Sequence, residues 1–139
     1  PFAVLMVDID RFKQYNDSHG HLAGDQLLSR IAALFKETTR TIDYVARYGG
    51  EEFLVILHEV GADGALPAAE RIRTRVAGEK FGPADQQVTV SIGIATFPEH
   101  GDSPEAIIAR ADAMLYEAKR GGRNRVVLAG PNPKKAAKS

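Results

Sequence analysis

The 139-residue chain has no cysteine, which excludes a disulfide framework and any metal site built on thiolates. It has no excess of either charge. Eighteen Lys and Arg stand against eighteen Asp and Glu, so no bulk field directs it toward nucleic acid or an anionic membrane surface. Long hydrophobic runs are also missing: the longest are strand-sized, well short of the ~20 apolar residues a spanning helix needs. No internal repeat is present. What remains is ordinary globular composition, 44% hydrophobic and 26% charged, in a chain long enough for one hydrophobic core. The lack of cysteine fits a reducing compartment. The expectation is therefore a cytoplasmic domain, whether or not its parent protein is anchored in a membrane.

The apolar pattern sets out the elements. "FAVLMV" near the start is continuously apolar, as in a strand covered on both faces. A polar helix from Arg11 to about His19 follows, with Asp10 placed to cap it. A second helix after Gly24 carries a stripe of Leu27, Leu28, Ile31, Leu34 and Phe35. "DYVARY" and "EFLVILHEV" read as two strands of a hairpin turning at Gly49 and Gly50. "GALPAAERIRTRVAG" reads as a helix with Pro67 in its first turn and Gly78 at its end.

In "QVTVSIGIATF", Val88, Val90, Ile92 and Ile94 share one face, and small residues on the other leave room for a helix to pack closely. Ser103 and Pro104 open a last helix, and "RVVL" adds an edge strand. The order β-α-α-β-β-α-β-α-β contains the β-α-β-β-α-β unit of ferredoxin-like folds. The expected architecture is a palm-type α/β sandwich, a mostly antiparallel sheet of about five strands flanked by helices. Residues 1–129 are assigned to this domain and residues 130–139 to a tail or linker. A chain that opens directly on a central strand reads as a piece of a longer protein.

The chemistry centres on "RYGGEEF" at 47–53. A turn needs glycine, but it does not need Glu51 and Glu52. In this topology the first strand and the hairpin are neighbours, so Asp8 and Glu51 converge at one end of the sheet. Such carboxylates suit a hard cation such as magnesium, which completes its shell with phosphate and water. The competing reading is a set of solvated turn acids. "DIDRFKQYNDSHGHLAGD" adds Lys13, Asn16, His21 and Asp25 nearby. An amide and a carboxylate together read guanine edges, and a lysine contacts phosphate as a point charge. Lys119 and Arg123 flank a helix end in "YEAKRGGRN" and suit terminal phosphates.

"DIDRFKQYND", "GHLAGD", "RYGGEEF", "VTVSIGIA" and "ADAMLYEAKRGGRN", in this order, resemble the GGDEF domain, the catalytic module of diguanylate cyclases. The signature is written GGEE here. The resemblance runs from Phe2 to about Leu128 and lacks only an "LTGLxNRR"-like stretch that precedes the first strand in the family. It implies condensation of two GTP into cyclic di-GMP by two domains facing each other as a homodimer. It also implies Mg²⁺ (or Mn²⁺) held by Asp8, Glu51 and the Ile9 carbonyl, with Glu52 beside them. Glu51 matches the general base and Lys13 the group that stabilises the transition state. Phe12, Asn16, His21, Asp25, Gly49, Gly50, Lys119 and Arg123 match substrate-binding positions, the rings of Phe12 and Tyr15 being read as core-facing.

Arg40 and Asp43 in "RTID" match the family's inhibitory product site, with Arg71 as a secondary contact. An ordinary local ion pair is the plainer reading of the same two residues. His19, His58 and His100 are assigned to surface or turns, and Tyr116 to helix packing. Two rival functions stay open: a silent GTP or cyclic di-GMP receptor, and, by fold-level analogy alone, a palm-type polymerase or other nucleotide cyclase. The expected partners are GTP, cyclic di-GMP and an upstream sensory or regulatory domain, with no nucleic acid polymer.

Overall fold

A continuously apolar first strand needs cover on both faces, and it has it. The computed structural model describes residues 1–131. Its elements are β1 (Phe2–Ile9), α1 (Phe12–His19), α2 (His21–Thr38), β2 (Tyr44–Arg47), β3 (Glu52–His58), α3 (Ala62–Ala77), β4 (Lys80–Phe81), β5 (Gln86–Gln87), β6 (Val90–Phe97), α4 (Pro104–Arg120) and β7 (Val126–Leu128). Five strands form one sheet in the order β2-β3-β1-β6-β7. All neighbours are antiparallel except β6 and β7. This is the expected mixed α/β architecture, with a small β4-β5 hairpin that the expected order omits.

Strand alternation divides the core. Ala3, Leu5, Val7 and Ile9 face one cluster with Ile31 and Phe35 of α2 and Ile72 and Val76 of α3. Val4 and Met6 face the other, with Ile107, Ala111 and Leu115 of α4. Each fully buried aliphatic side chain contributes about 1.5–3 kcal/mol. The small face of β6 permits the close approach of α4: a Cβ on Gly93 would lie 2.2 Å from the Ala111 carbonyl and the Leu115 nitrogen. Ser103 caps α4 by accepting from the Ala106 amide at 3.2 Å, with Pro104 in the first position.

Several local expectations give way to tertiary partners. Asp10 does not cap α1; Arg11 occupies that position in a left-handed conformation, with no side-chain cap. Asp10 is instead buried and bonded to β6. Helix α2 begins at His21, so Gly24 lies within it. Helix α3 begins at Ala62, which places Pro67 inside the helix. His100 sits in a turn, one of the two places assigned to it, but is buried there, its Nδ1 accepting from the Thr96 amide at 2.9 Å. Tyr116 is 61% exposed and packs on no core; the Arg120 guanidinium lies over its ring. The assigned tail lies, from residue 132, outside the described residues.

Candidate functional site

The first strand and the hairpin meet as the topology requires. In the antiparallel register Asp8 stands opposite Glu52, and the Ile9 amide donates to the Glu51 carbonyl at 3.2 Å. Glu52 and Asp8 thus share the face covered by α4, and Glu51 sits one residue back in the turn. Asp8 is 3% exposed. From α4, the Lys119 ammonium donates to Asp8 Oδ2 at 2.6 Å.

Burial raises the pKa of Asp8, against the hydrogen bond and charge of Lys119, and Asp10 adds to the rise. Burial also raises Glu51, helped by the charge of Asp8, and it raises Glu52, helped by Asp8 and Asp112. Three carboxylates therefore crowd one end of the sheet with Lys119 as their shared counter-charge. Among the described residues, no group of three or more His, Asp or Glu is arranged as a ready metal cage. The donor set nonetheless fits magnesium, which takes one or two carboxylates and leaves the rest of its shell to water and phosphate.

The turn between the strands is held from within. Arg47 donates to the Gly50 carbonyl at 2.6 Å and to the Gly49 carbonyl at 3.2 Å. Neither glycine has positive φ. A Cβ on Gly50 would meet nothing within 4 Å, and one on Gly49 would make only ordinary contacts with Glu52. The fold itself thus has no need of glycine at either position. What the missing side chains leave open is the approach to the turn from outside.

Helices α1 and α2 bring a second group together. Asn16 Oδ1 is buried without a hydrogen-bond partner. It lies where a Cβ on Gly24 would be, only 1.7 Å from that position. Lys13, His21 and Asp25 are exposed, and among the described residues no hydrogen bond or ion pair engages them. The Phe12 ring is in the core, 8% exposed, so only its main chain is available to a ligand. Arg123 is exposed on the turn after α4.

At the far end of β3, Arg40 and Asp43 form a closed pair. Arg40 donates to Asp43 through its main-chain amide, Nε and Nη2 at 2.8–3.1 Å. It also donates to the His58 carbonyl at 2.6 Å, and the His58 amide donates to Asp43 at 3.2 Å. The Asp43 side chain is 2% exposed and that of Arg40 is 50% exposed. Burial pushes Asp43 up, but the bonds from Arg40 and His58 outweigh it and hold its carboxyl below the usual range. Arg71 lines the same cavity of about 200 Å³ as Arg40 and Asp43. A larger cavity, about 470 Å³, lies between α1 and the residues at 86–89; Asp10 lines it, and none of the predicted site residues does.

Comparison with known proteins agrees with this layout. The family model "Diguanylate cyclase, GGDEF domain" matches residues 1–125. The chain belongs to the GGDEF family. It is 45% identical over 136 residues to diguanylate cyclase A of Treponema denticola, covering 96% of this chain and 37% of that protein. Among solved structures, the active GGEEF domain of a diguanylate cyclase from Vibrio cholerae superposes with TM-score 0.89 at 33% identity, covering 94% of this chain and 84% of that one. The GGDEF domain of DgcB from Caulobacter crescentus, in complex with c-di-GMP, gives 0.84 at 37% identity, covering 91% and 77%. The chain thus spans well under half of its curated relative.

Two residues packed beside the predicted groups escape a residue-by-residue reading. Gly24 makes room for the Asn16 amide, a contact between two helices that spacing alone does not show. Asp10 was assigned to a helix cap, yet its carboxylate accepts from the Thr89 and Ser91 hydroxyls at 2.7 Å and from the Asn124 amide at 3.0 Å. The available signal was its position two residues beyond Asp8, at the same sheet end.

Proposed function

We propose that this domain is a diguanylate cyclase module, condensing two GTP into cyclic di-GMP with release of two pyrophosphates. The observation that carries the reading is the crowd of Asp8, Glu51 and Glu52 around one lysine, beside two glycines the fold does not require. Negative charge concentrated in this way is an arrangement for an incoming cation and its phosphates.

Two such domains face each other, each holding one GTP. The 3′-hydroxyl of one nucleotide attacks the α-phosphate of the other, the bond to pyrophosphate breaks, and the reciprocal attack closes the ring. Asp8, Glu51 and the Ile9 carbonyl, with Glu52 adjacent, are the groups that would hold Mg²⁺ or Mn²⁺, which when bound offsets charge on the phosphoryl oxygens. Glu51, with its pKa raised by burial, is suited to accept the hydroxyl proton. Asn16 and Asp25 read the guanine, with His21 and the Phe12 main chain alongside. Lys13 faces the charge that develops in the transition state. Lys119 and Arg123 hold the terminal phosphates, Lys119 exchanging Asp8 for phosphate when nucleotide arrives.

Cyclic di-GMP also acts as an inhibitor at the Arg40–Arg71 cavity. Arg40 and Asp43, paired with each other in the free domain, open to receive the dinucleotide, with Arg71 as a secondary contact. In the parent protein an upstream sensory or regulatory domain governs pairing of the cyclase domains. The test is incubation with GTP and Mg²⁺, with cyclic di-GMP as the readout and Glu51→Ala as the control. Equal product from Glu51→Ala would defeat the proposed site. Bound GTP without any product at high protein concentration would identify a receptor module instead.

A further inference from the structure

We infer that Asp10 is a positioning residue whose buried carboxylate locks the turn after α4 and so aims Arg123 at the carboxylate end of the sheet. The inference rests on the phosphate-holding role proposed for Arg123. Asp10 is 8% exposed and has both oxygens engaged. Oδ1 accepts from the Ser91 hydroxyl, and Oδ2 from the Thr89 hydroxyl and the Asn124 amide.

The turn that it grips is one the chain would not adopt unaided. Gly122, Arg123 and Asn124 have φ of 122°, 67° and 45° in succession. Left-handed conformations at two consecutive non-glycine residues are costly, and they persist only where the surroundings over-determine them. The surroundings here do so from several directions. The Arg73 guanidinium on α3 donates to Asn124 Oδ1 at 3.0 Å. The Arg123 amide donates to the Ala118 carbonyl at 3.0 Å, and Arg125 Nε to the Arg123 carbonyl at 3.1 Å. Of these tethers, Asp10 alone ties the turn to the end of β1, two residues from Asp8.

The discriminating substitution is Asp10→Asn. An amide can keep its oxygen toward the Thr89 hydroxyl and the Asn124 N–H and turn its NH2 to the Ser91 hydroxyl, but it removes the negative charge that strengthens all three bonds. Hydrogen exchange of the 122–124 amides should quicken by at least tenfold. The KM for GTP should rise about tenfold, with kcat changed far less. Pairing Asp10→Asn with Arg123→Ala should weaken GTP no further than Arg123→Ala alone, because the two act through one contact. Unchanged exchange in Asp10→Asn would overturn the anchoring. Additive losses in the double variant would overturn its link to Arg123. Faster exchange combined with unaltered GTP affinity in Arg123→Ala would instead overturn the phosphate role of Arg123 and leave the anchoring standing. Should Asp10→Asn not fold, Arg73→Leu loosens the same turn from its exposed side. It should raise exchange and KM in the same direction, and quickened exchange with an unmoved KM overturns the link between the order of the turn and Arg123.

Discussion

Strand β3 has acidic groups at both ends, and they stand in opposite electrostatic surroundings. Where it begins, Glu52 joins Glu51 and Asp8, and burial lifts all three pKa values around a single lysine. Where it ends, Asp43 is held by Arg40 and the His58 amide, and its pKa falls. The first end carries more carboxylates than Lys119 alone can offset. The second is neutralised from within. Carboxylates therefore crowd together at one end and are tied into the fold at the other, and the difference lies in the partners supplied by neighbouring strands and helices.

The largest effects should separate the ends by kind of loss. Glu51→Ala should lower cyclic di-GMP formation by at least ~10²–10³-fold. Its melting temperature should hold or rise, because a carboxylate with a raised pKa opposes folding when ionised. Asp43→Ala should do the reverse. It strips acceptors from the His58 amide and from Arg40, costing roughly 1–3 kcal/mol in denaturant unfolding, while initial turnover changes little. A strongly destabilised Glu51→Ala would erase the contrast.

The next effect tests whether the closed pair has any business with ligand. Arg40→Ala should weaken cyclic di-GMP binding by about tenfold or more in calorimetry, through loss of a charge-assisted contact. Unchanged affinity would reduce the pair to a clasp between the end of α2 and β3. A smaller effect belongs to Asn16 and Gly24, the side proposed for guanine. Gly24→Ala must displace the end of the flexible Asn16 side chain rather than backbone, so the KM for GTP should rise severalfold, on the order of one lost hydrogen bond, with little change in melting temperature.

How much of this could be read in advance follows the range of each interaction. The alternation of Val90, Ile92 and Ile94 and the stripe of Ile107, Ala111 and Leu115 repeat with the period of their own element, and the folded positions match. The meeting of Asp8 with the hairpin followed from topology, although the register places Glu52, not Glu51, directly across from it. Asp10 was misread because a local capping rule applied, whereas its partners lie 79, 81 and 114 residues away. His100 lies in a turn, as one half of its assignment had it, but its burial with Thr96, only four residues back, is a tertiary fact that no local rule shows. Pro67 was placed in the first turn of its helix, yet α3 begins at Ala62 and buries Ala65 ahead of it.

The smallest effect is the pH dependence, and its sign differs between the ends. For Asp8, Glu51 and Glu52 the folded pKa lies above the values of 3.8 and 4.5 expected when unfolded. Their contribution to stability is complete below those values and is lost as pH rises through the raised ones. Asp43 contributes above 3.8 and loses that contribution as pH falls through its depressed folded pKa. Melting curves of Glu51→Gln and wild type should therefore diverge as pH rises from about 4 to 7, the variant becoming relatively more stable. Those of Asp43→Asn and wild type should converge at the acid end. A divalent cation adds the deciding arm, because it binds ionised carboxylates and displaces their protons. Mg²⁺ should raise the melting temperature more at about pH 8 than at about pH 5, and Glu51→Gln should shrink that difference while Asp43→Asn leaves it intact. An equal Mg²⁺ effect at both pH values would mean that the raised carboxylates are not where the cation binds.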